Sequence, residues 1–412
     1  MAHVIPFRAI RPASHEASTI AALPYDVYSR QEAYEKVQKQ PGSFLAIDRP
    51  ETQFDSDVDM YSDEVYPKAH DMLWSWLEEG RFIPGAEEAY YIYELIMDGR
   101  SQTGIVACAS IDDYKNEVIK KHENTRAEKE LDRIRHVGTC QAQTGPIFLA
   151  YKSDDTINAV VDSVKTRTPV YSFVADDGIT HKVWVIDDKM NIALIATAFE
   201  KQKSIYIADG HHRAASAVRV GFDRREAKGS FTGNENFNYF LSVLFPDEQL
   251  KIMDYNRVVK DLGGLSIAKF KDKISSIVDI IGTDTKPIHP GVKGQWSMLL
   301  DGMWYLCQVK DSDKSDDPVD GLDVSLLQKL ILEPVLGISD PKVDPRIDFV
   351  GGIRGLEELE RRCTLDCAVA FAMYPTSISE LFEVADAGRL MPPKSTWFEP
   401  KLRSGLFIHD IR

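Results

Sequence analysis

Apolar positions along this chain recur at two spacings, and residues that favour turns mark where one spacing gives way to the other. Within Tyr66 to Leu77, Met72, Leu73, Trp76 and Leu77 fall at helical spacing, which predicts a helix with one face in a core. A Pro-led turn, Pro24-Tyr25-Asp26-Val27, precedes a helical stretch from Ser29, where Glu32 completes a capping-box pattern. Ala89 to Met97 and Thr103 to Ile111 read as strands of a hairpin around Asp98-Gly99. Gly145 to Tyr151, His181 to Ile186 and Phe237 to Phe245 are further strand candidates.

After Leu262-Gly263-Gly264 the pattern partly restarts. A helix through Val278, strands flanking Asp301-Gly302, a helix from Val324 to Val335 and a strand from Cys367 to Tyr374 are expected. The charged stretch from Lys310 to Asp317 lacks apolar periodicity and is expected as an exposed loop. A chain of 412 residues exceeds the usual size of one hydrophobic core. The expected architecture is therefore α/β (α+β) in two lobes, residues 1–260 and 261–412.

The densest polar sequence sits inside the first lobe. Ser204 to Ala208 reads as a short buried strand, and Ala214 to Val220 as a helix stopped by Gly221. Between them stand Asp209-Gly210-His211-His212-Arg213. An acid, two imidazoles and a guanidinium thus occupy a strand's C-terminal end and a helix start, where free backbone N–H groups favour an anion. Gly210 suits a turn with positive φ. Three readings are compatible with these residues: a helix cap made by Asp209, a zinc site, and a phosphate site with Mg²⁺ held by Asp209. The phosphate site accounts for most of the cluster, because a cap needs only the acid and adjacent histidines on a tight turn rarely chelate one ion.

A second focus is Lys120-Lys121-His122-Glu123-Asn124-Thr125-Arg126, followed by Arg133 and His136 on a helical stretch. Arg forks and hydroxyl donors suit a polyphosphate, and Glu123 is a candidate base for an alcohol proton. Lys129, Glu130 and Asp132 read instead as a solvated helix face. Near the C-terminus, Pro393-Lys394-Ser395-Thr396 and Pro400-Lys401 offer two lysines and hydroxyls that could line an anion pocket, or form an ordinary surface loop. Phe349-Val350-Gly351-Gly352-Ile353-Arg354-Gly355 matches neither the dinucleotide nor the P-loop fingerprint.

Composition narrows the partners. A net charge of −15 argues against nucleic acid or an anionic membrane as partner, so an anionic substrate needs a local basic pocket. With no long apolar run and no signal-like start, a cytoplasmic protein is expected. Five scattered cysteines do not look like a disulfide framework.

Taken together, Leu23-Pro24-Tyr25-Asp26-Val27, His122-Glu123-Asn124-Thr125-Arg126, Gly145-Pro146-Ile147-Phe148, Ala208 to Arg213, Asp348 to Gly352 and Met391-Pro392-Pro393-Lys394-Ser395-Thr396 resemble the marks of a bacterial and archaeal family of unknown function, often associated with serine biosynthesis. The ADGHHR element is also similar to that of free serine kinases of the ParB-like and sulfiredoxin-like superfamily. The resemblance implies a ParB-like core and Mg²⁺-dependent phosphorylation of free L-serine to O-phospho-L-serine. It implies that Asp209 binds Mg²⁺ or orients the serine hydroxyl, that His211, His212 and Arg213 hold phosphate, and that Glu123 acts as base. Asp254-Tyr255-Asn256-Arg257 departs from the Thr-His-Arg of relatives, which leaves Arg257 as the candidate there. Lys121, His122, Thr125, Arg126, Arg133 and Gly210 complete the expected phosphate site, while Tyr25, Asp26, Lys394, Ser395 and Thr396 are candidates for the rest of the substrate. With no P-loop in sight, pyrophosphate is favoured as donor over ADP or ATP. A ParB-like phosphatase or nuclease and a non-catalytic binding module are the competing readings.

Overall fold

The computed structural model describes residues 1–412, and its contacts divide them into two units: Met1–Leu250 together with Pro400–Arg412, and Lys251–Glu399. The boundary thus falls earlier than the expected 261. The reason is Tyr255–Val259, which pairs with strands at 347–351 and 369–373 and belongs to the interior of the second sheet. The last residues also depart from expectation by returning to the first unit, where His409 pairs with Gln143 and Ile408 bridges Ile10.

Nine strands build the first sheet: β1 (Val4–Ile5), β2 (Tyr90–Met97), β3 (Arg100–Ser110), β4 (Ile119–Lys120), β5 (Ile147–Tyr151), β6 (Tyr171–Val174), β7 (Thr180–Ile186), β8 (Ile205–Asp209) and β9 (Tyr239–Pro246). Their order is β4-β8-β5-β9-β3-β2-β7-β6, with β1 on β3. The sheet is mixed, because β4 runs parallel to β8 and β5 parallel to β9. The hairpin forms around Asp98-Gly99 as expected, with Met97 opposite Arg100. Both of its turn residues have positive φ, which Gly99 adopts without cost and Asp tolerates better than most residues.

Alternate residues of these strands line one core on a face of the sheet. Tyr90 and Ile92 of β2 join Ile147, Leu149, Ile205 and Ile207 under three helices, α4 (Asp155–Lys165), α5 (Lys189–Lys201) and α6 (His211–Lys228). A separate core holds Val37 of α1 (Arg30–Lys39), Leu73 and Trp76 of α2 (Val65–Glu78) and Cys140 of α3 (Ala127–Cys140). The Ser29 and Glu32 capping box forms at the start of α1.

The helix after the polar motif runs on past Gly221 to Lys228, contrary to the expected stop. Gly221 is not a terminator here, since a Cβ at that position would collide with the carbonyl of Phe237. Close approach, rather than a turn, accounts for this glycine.

The second unit carries a six-stranded sheet. Its strands are β10 (Tyr255–Val259), β11 (Asp279–Asp284), β12 (Gln295–Leu300), β13 (Met303–Gln308), β14 (Ile347–Gly351) and β15 (Val369–Met373). They follow the order β11-β13-β12-β15-β10-β14, all antiparallel. The expected helix from Val324 to Val335 is shorter, α-helical over Asp323–Leu327 and π-helical over Gln328–Leu332. Taken whole, the chain is a mixed α/β protein with one large mixed sheet and one antiparallel sheet. All five cysteines are free thiols, and no helix is long and apolar enough to cross a membrane.

Candidate functional site

Strand β8 ends at Asp209 and α6 begins at His211, with Gly210 between them at φ +92°. That left-handed residue turns the backbone so that no side chain caps α6. The N–H groups of the first turn are therefore left to a ligand or to solvent.

The Asp209 carboxylate gathers the charges around it. One oxygen accepts the N–H of Gly210 at 3.0 Å; the other lies 3.2 Å from Nζ of Lys401 and 3.8 Å from a guanidinium nitrogen of Arg213. Burial alone would raise this carboxyl, but Lys401 and Arg213 outweigh it and hold it well below the usual carboxylate range. Arg213 donates to the carbonyl of Pro146 and packs over Gly210, whose missing Cβ would stand 3.1 Å from its guanidinium carbon. The Gly145-Pro146 segment, read from sequence as the start of a strand, thus serves as a rest for Arg213.

Two buried imidazoles lie beside this ion cluster. The rings of His122 and His211 meet edge to face with centroids 4.6 Å apart. Burial pushes His122 down to about 4, against an opposing hydrogen bond with the backbone of Ile207. Burial, then His122 itself, pushes His211 well below the ordinary value, so both rings are neutral at neutral pH. Nδ1 of His211 lies 4.0 Å from Oε2 of Glu123, an electrostatic neighbour beyond hydrogen-bond range, while its buried Nε2 has no partner. His212 turns the other way, and its Nε2 accepts the backbone N–H of Arg126 at 2.9 Å. Its proton therefore sits on Nδ1.

The expected residues are thus partly brought together. Glu123, His122, Asp209, Gly210, His211, His212, Arg213 and the backbone of Arg126 form one constellation, with Lys121 exposed nearby and its charge felt by His211. Thr125 is committed elsewhere: its hydroxyl donates to Glu130 at 2.6 Å. Arg133 is buried and ion-paired with Asp132 at 2.8 Å, with its guanidinium 4.1 Å from the centroid of the Tyr25 ring. Asp132 is accordingly not part of a solvated helix face, since it also accepts from Tyr66. Within the second unit Arg257 donates to the carbonyls of Tyr255 and Lys394, while Ser395 donates to Pro392 and Lys394 itself has φ +60°. Thr396 lies in the same loop, half-buried.

Lys401 reads from sequence as one of two lysines that could line an anion pocket, not as a partner of Asp209. It was visible as a lysine after a proline, but nothing in the sequence joins it to an acid 192 positions away. Asp209 is the expected magnesium ligand. No group of three or more His, Cys, Asp and Glu side chains is placed to hold a metal, and the one carboxylate at the junction is already engaged by two cations.

A model of a protein family of unknown function, DUF1015, matches residues 4–325. No curated protein matches the sequence. Among solved structures, a free serine kinase in complex with AMP is similar at 12% identity and a TM-score of 0.34, over 75% of this chain and 91% of that one. SbnI from Staphylococcus aureus, with a C-terminal truncation, gives 11% identity and a TM-score of 0.35 over 71% of this chain and 82% of its own. A conserved hypothetical protein from Pyrococcus furiosus gives 13% and 0.32, over 73% and 93%.

Proposed function

The chain belongs to the DUF1015 family, and on that footing we propose that it is a phosphotransferase that moves a phosphoryl group from a small polyphosphate to the hydroxyl of free L-serine. The observation that supports this reading is the uncapped start of α6 beside Asp209, Arg213 and Lys401. Backbone N–H groups and two cations converge there, which suits an anion of high charge density. The imidazoles of His122 and His211 are neutral and add no competing charge.

Phosphoryl transfer asks chiefly for alignment and for neutralisation of charge on the transferred group. In this reading Arg213, Lys401, Arg126 and Lys121 supply the positive charge, and Asp209 holds the first two in place. The serine Oγ attacks the terminal phosphorus, the bridging P–O bond breaks, and the serine proton passes to Glu123. Inorganic phosphate leaves when pyrophosphate is the donor. Thr125 and Arg133, spent on Glu130 and Asp132, are left out of the donor site. Pyrophosphate is the proposed donor, because the cations are clustered tightly and no P-loop is present. Magnesium enters bound to the donor's phosphates, as part of the substrate. The first unit then corresponds to a ParB-like core, and Arg257, Lys394, Ser395 and Thr396 are phosphate-binding candidates of the second unit.

The test is incubation with L-serine, Mg²⁺ and pyrophosphate, ADP or ATP in separate tubes, followed by ³¹P NMR. Phosphoserine from pyrophosphate, lost in Asp209→Asn and Glu123→Gln, is the expected result. Phosphate release that ignores serine would instead point to a hydrolase, and absence of product from every donor overturns the proposal.

A further inference from the structure

A cavity of about 180 Å³ lies in the first unit between the Tyr25-Asp26 turn, the Arg49 to Glu51 turn and helix α3. It is not part of the ion cluster at Asp209. Its wall of Tyr25 and Arg133 is shared with a smaller cavity that Arg213 also lines, so the two spaces adjoin at the motif. Asp26 and Lys129 are also among the charged groups that act on His212.

The charges around this cavity divide into those already matched and those left over. Arg49 is paired with Glu51 at 2.6 Å, and both are buried. Its guanidinium also donates to the carbonyls of Tyr25 and Tyr28, each at 3.0 Å. Arg133 is paired with Asp132, whose other oxygen accepts from Tyr66 at 3.1 Å. These buried pairs are internally compensated and offer no net charge to a ligand. Three charged groups of the lining have no ion-pair partner: Asp26, Arg30 and Lys129. Arg30 spends only one donor, on the carbonyl of Val58. Between them the hydroxyls of Tyr25, Tyr28 and Tyr61 are committed to no other side chain.

One unmatched carboxylate, two unmatched cations and a tyrosine wall complement a small zwitterion that carries a polar group. An ammonium needs a carboxylate and a carboxylate needs a fork or a pair of cations, whereas a bare polyanion would meet Asp26 as a repulsive neighbour. We propose that this cavity seats a free α-amino acid, with its ammonium on Asp26, its carboxylate on Arg30 and Lys129, and its side chain toward the wall shared with Arg213. That this amino acid is the phosphoryl acceptor rests on the phosphotransferase reading above. The binding site itself does not, because it follows from the cavity and its unmatched charges.

Binding of L-serine to the full chain, read by isothermal titration and by saturation-transfer NMR, tests the site without any donor present. L-serine is expected to bind, and N-acetyl-L-serine and L-serinamide, each lacking one of the two charges, at least ~10-fold more weakly. Asp26→Asn and Arg30→Gln each lower L-serine affinity at least ~10-fold while pyrophosphate affinity stays within about twofold of wild type. Asp26 is exposed and Arg30 lies in the first turn of α1, so circular dichroism is expected to show both variants folded. Failure of the wild type to bind L-serine, or binding that neither substitution weakens, overturns the site. Binding that both substitutions abolish, in a protein that makes no phosphoserine from any donor, keeps the site and overturns the phosphotransferase reading instead.

Discussion

Lys401 and Asp209 stand 192 positions apart in sequence and 3.2 Å apart in space. The ammonium leaves Asp209 with a matched charge on one side and Arg213 on the other, so the acid serves to hold two cations at the start of α6. Replacing Lys401 by Met keeps the stem and removes the charge. The variant is expected to lose about 2 kcal/mol of stability, the usual cost of leaving a partly buried ion without its partner. Phosphoryl transfer should fall at least ~10-fold in kcat/KM, since ~1.4 kcal/mol of lost transition-state stabilisation suffices for that. Urea unfolding together with steady-state kinetics checks both; unchanged kinetics would remove Lys401 from the site.

Arg213→Lys separates charge from shape. The guanidinium reaches the Pro146 carbonyl and the Asp209 carboxylate at once, over a glycine floor that leaves it room. A lysine keeps the charge and loses the planar fork that spans these two partners, so the two side chains are not equivalent here. Circular dichroism should be unchanged while kcat/KM drops by about 100-fold, roughly 2.7 kcal/mol. A drop of less than about threefold would mean that Arg213 acts as a simple point charge.

The buried imidazoles fix how stability varies with pH. Burial lowers His122 and His409 to about 4 and His181 to about 3, so each is neutral in the folded chain and protonates more readily when unfolded. The unfolded chain binds the extra protons, and stability is lost as pH falls from the free-histidine value, roughly 6.5, toward 4. Each fully buried ring contributes up to about 3 kcal/mol to this fall. Asp209, held low by its cations, adds a loss in the same direction further down, below about pH 4. Thermal unfolding midpoints at pH 7, 5.5 and 4.5 should decline in that order, and a flat profile would show that these rings are accessible to protons in the folded state.

Gly221→Ala should reverse the usual helix rule. An alanine inside a helix normally gains about 1 kcal/mol over glycine. Here the added methyl would meet the carbonyl of Phe237, and overpacking of this kind costs about 1–3 kcal/mol. Denaturant midpoints of the variant are therefore expected below those of the parent chain.

The strands and most helices were legible because their pattern is local. The Asp98-Gly99 hairpin, the Ser29 and Glu32 capping box and strand β8 each depend on residues within a few positions. The ADGHHR junction was legible for the same reason, with its turn, glycine and helix start contiguous. What was hidden depends on pairing at long range. The unit boundary moved because Tyr255–Val259 pairs with Val369 and Ile347, partners that local spacing does not name. Asp132 reads as solvated from its charged neighbours, yet Tyr66 and Arg133 bury it. Thr125 looks like a donor for phosphate until Glu130 accepts its hydroxyl hydrogen bond.

The return of residues 400–412 to the first unit also sets an order on biosynthesis. A ribosome makes the first sheet and the ADGHHR turn long before it makes Lys401, with the whole of Lys251–Glu399 in between. During that interval Asp209 lacks its ammonium, and Ile10 and Gln143 lack the strand residues that later pair with them. A nascent chain stalled or cut within the second unit would therefore lack the ammonium beside Asp209. The charge cluster at Asp209 is completed only once Lys401 has been made, well after the strand and turn that carry the acid.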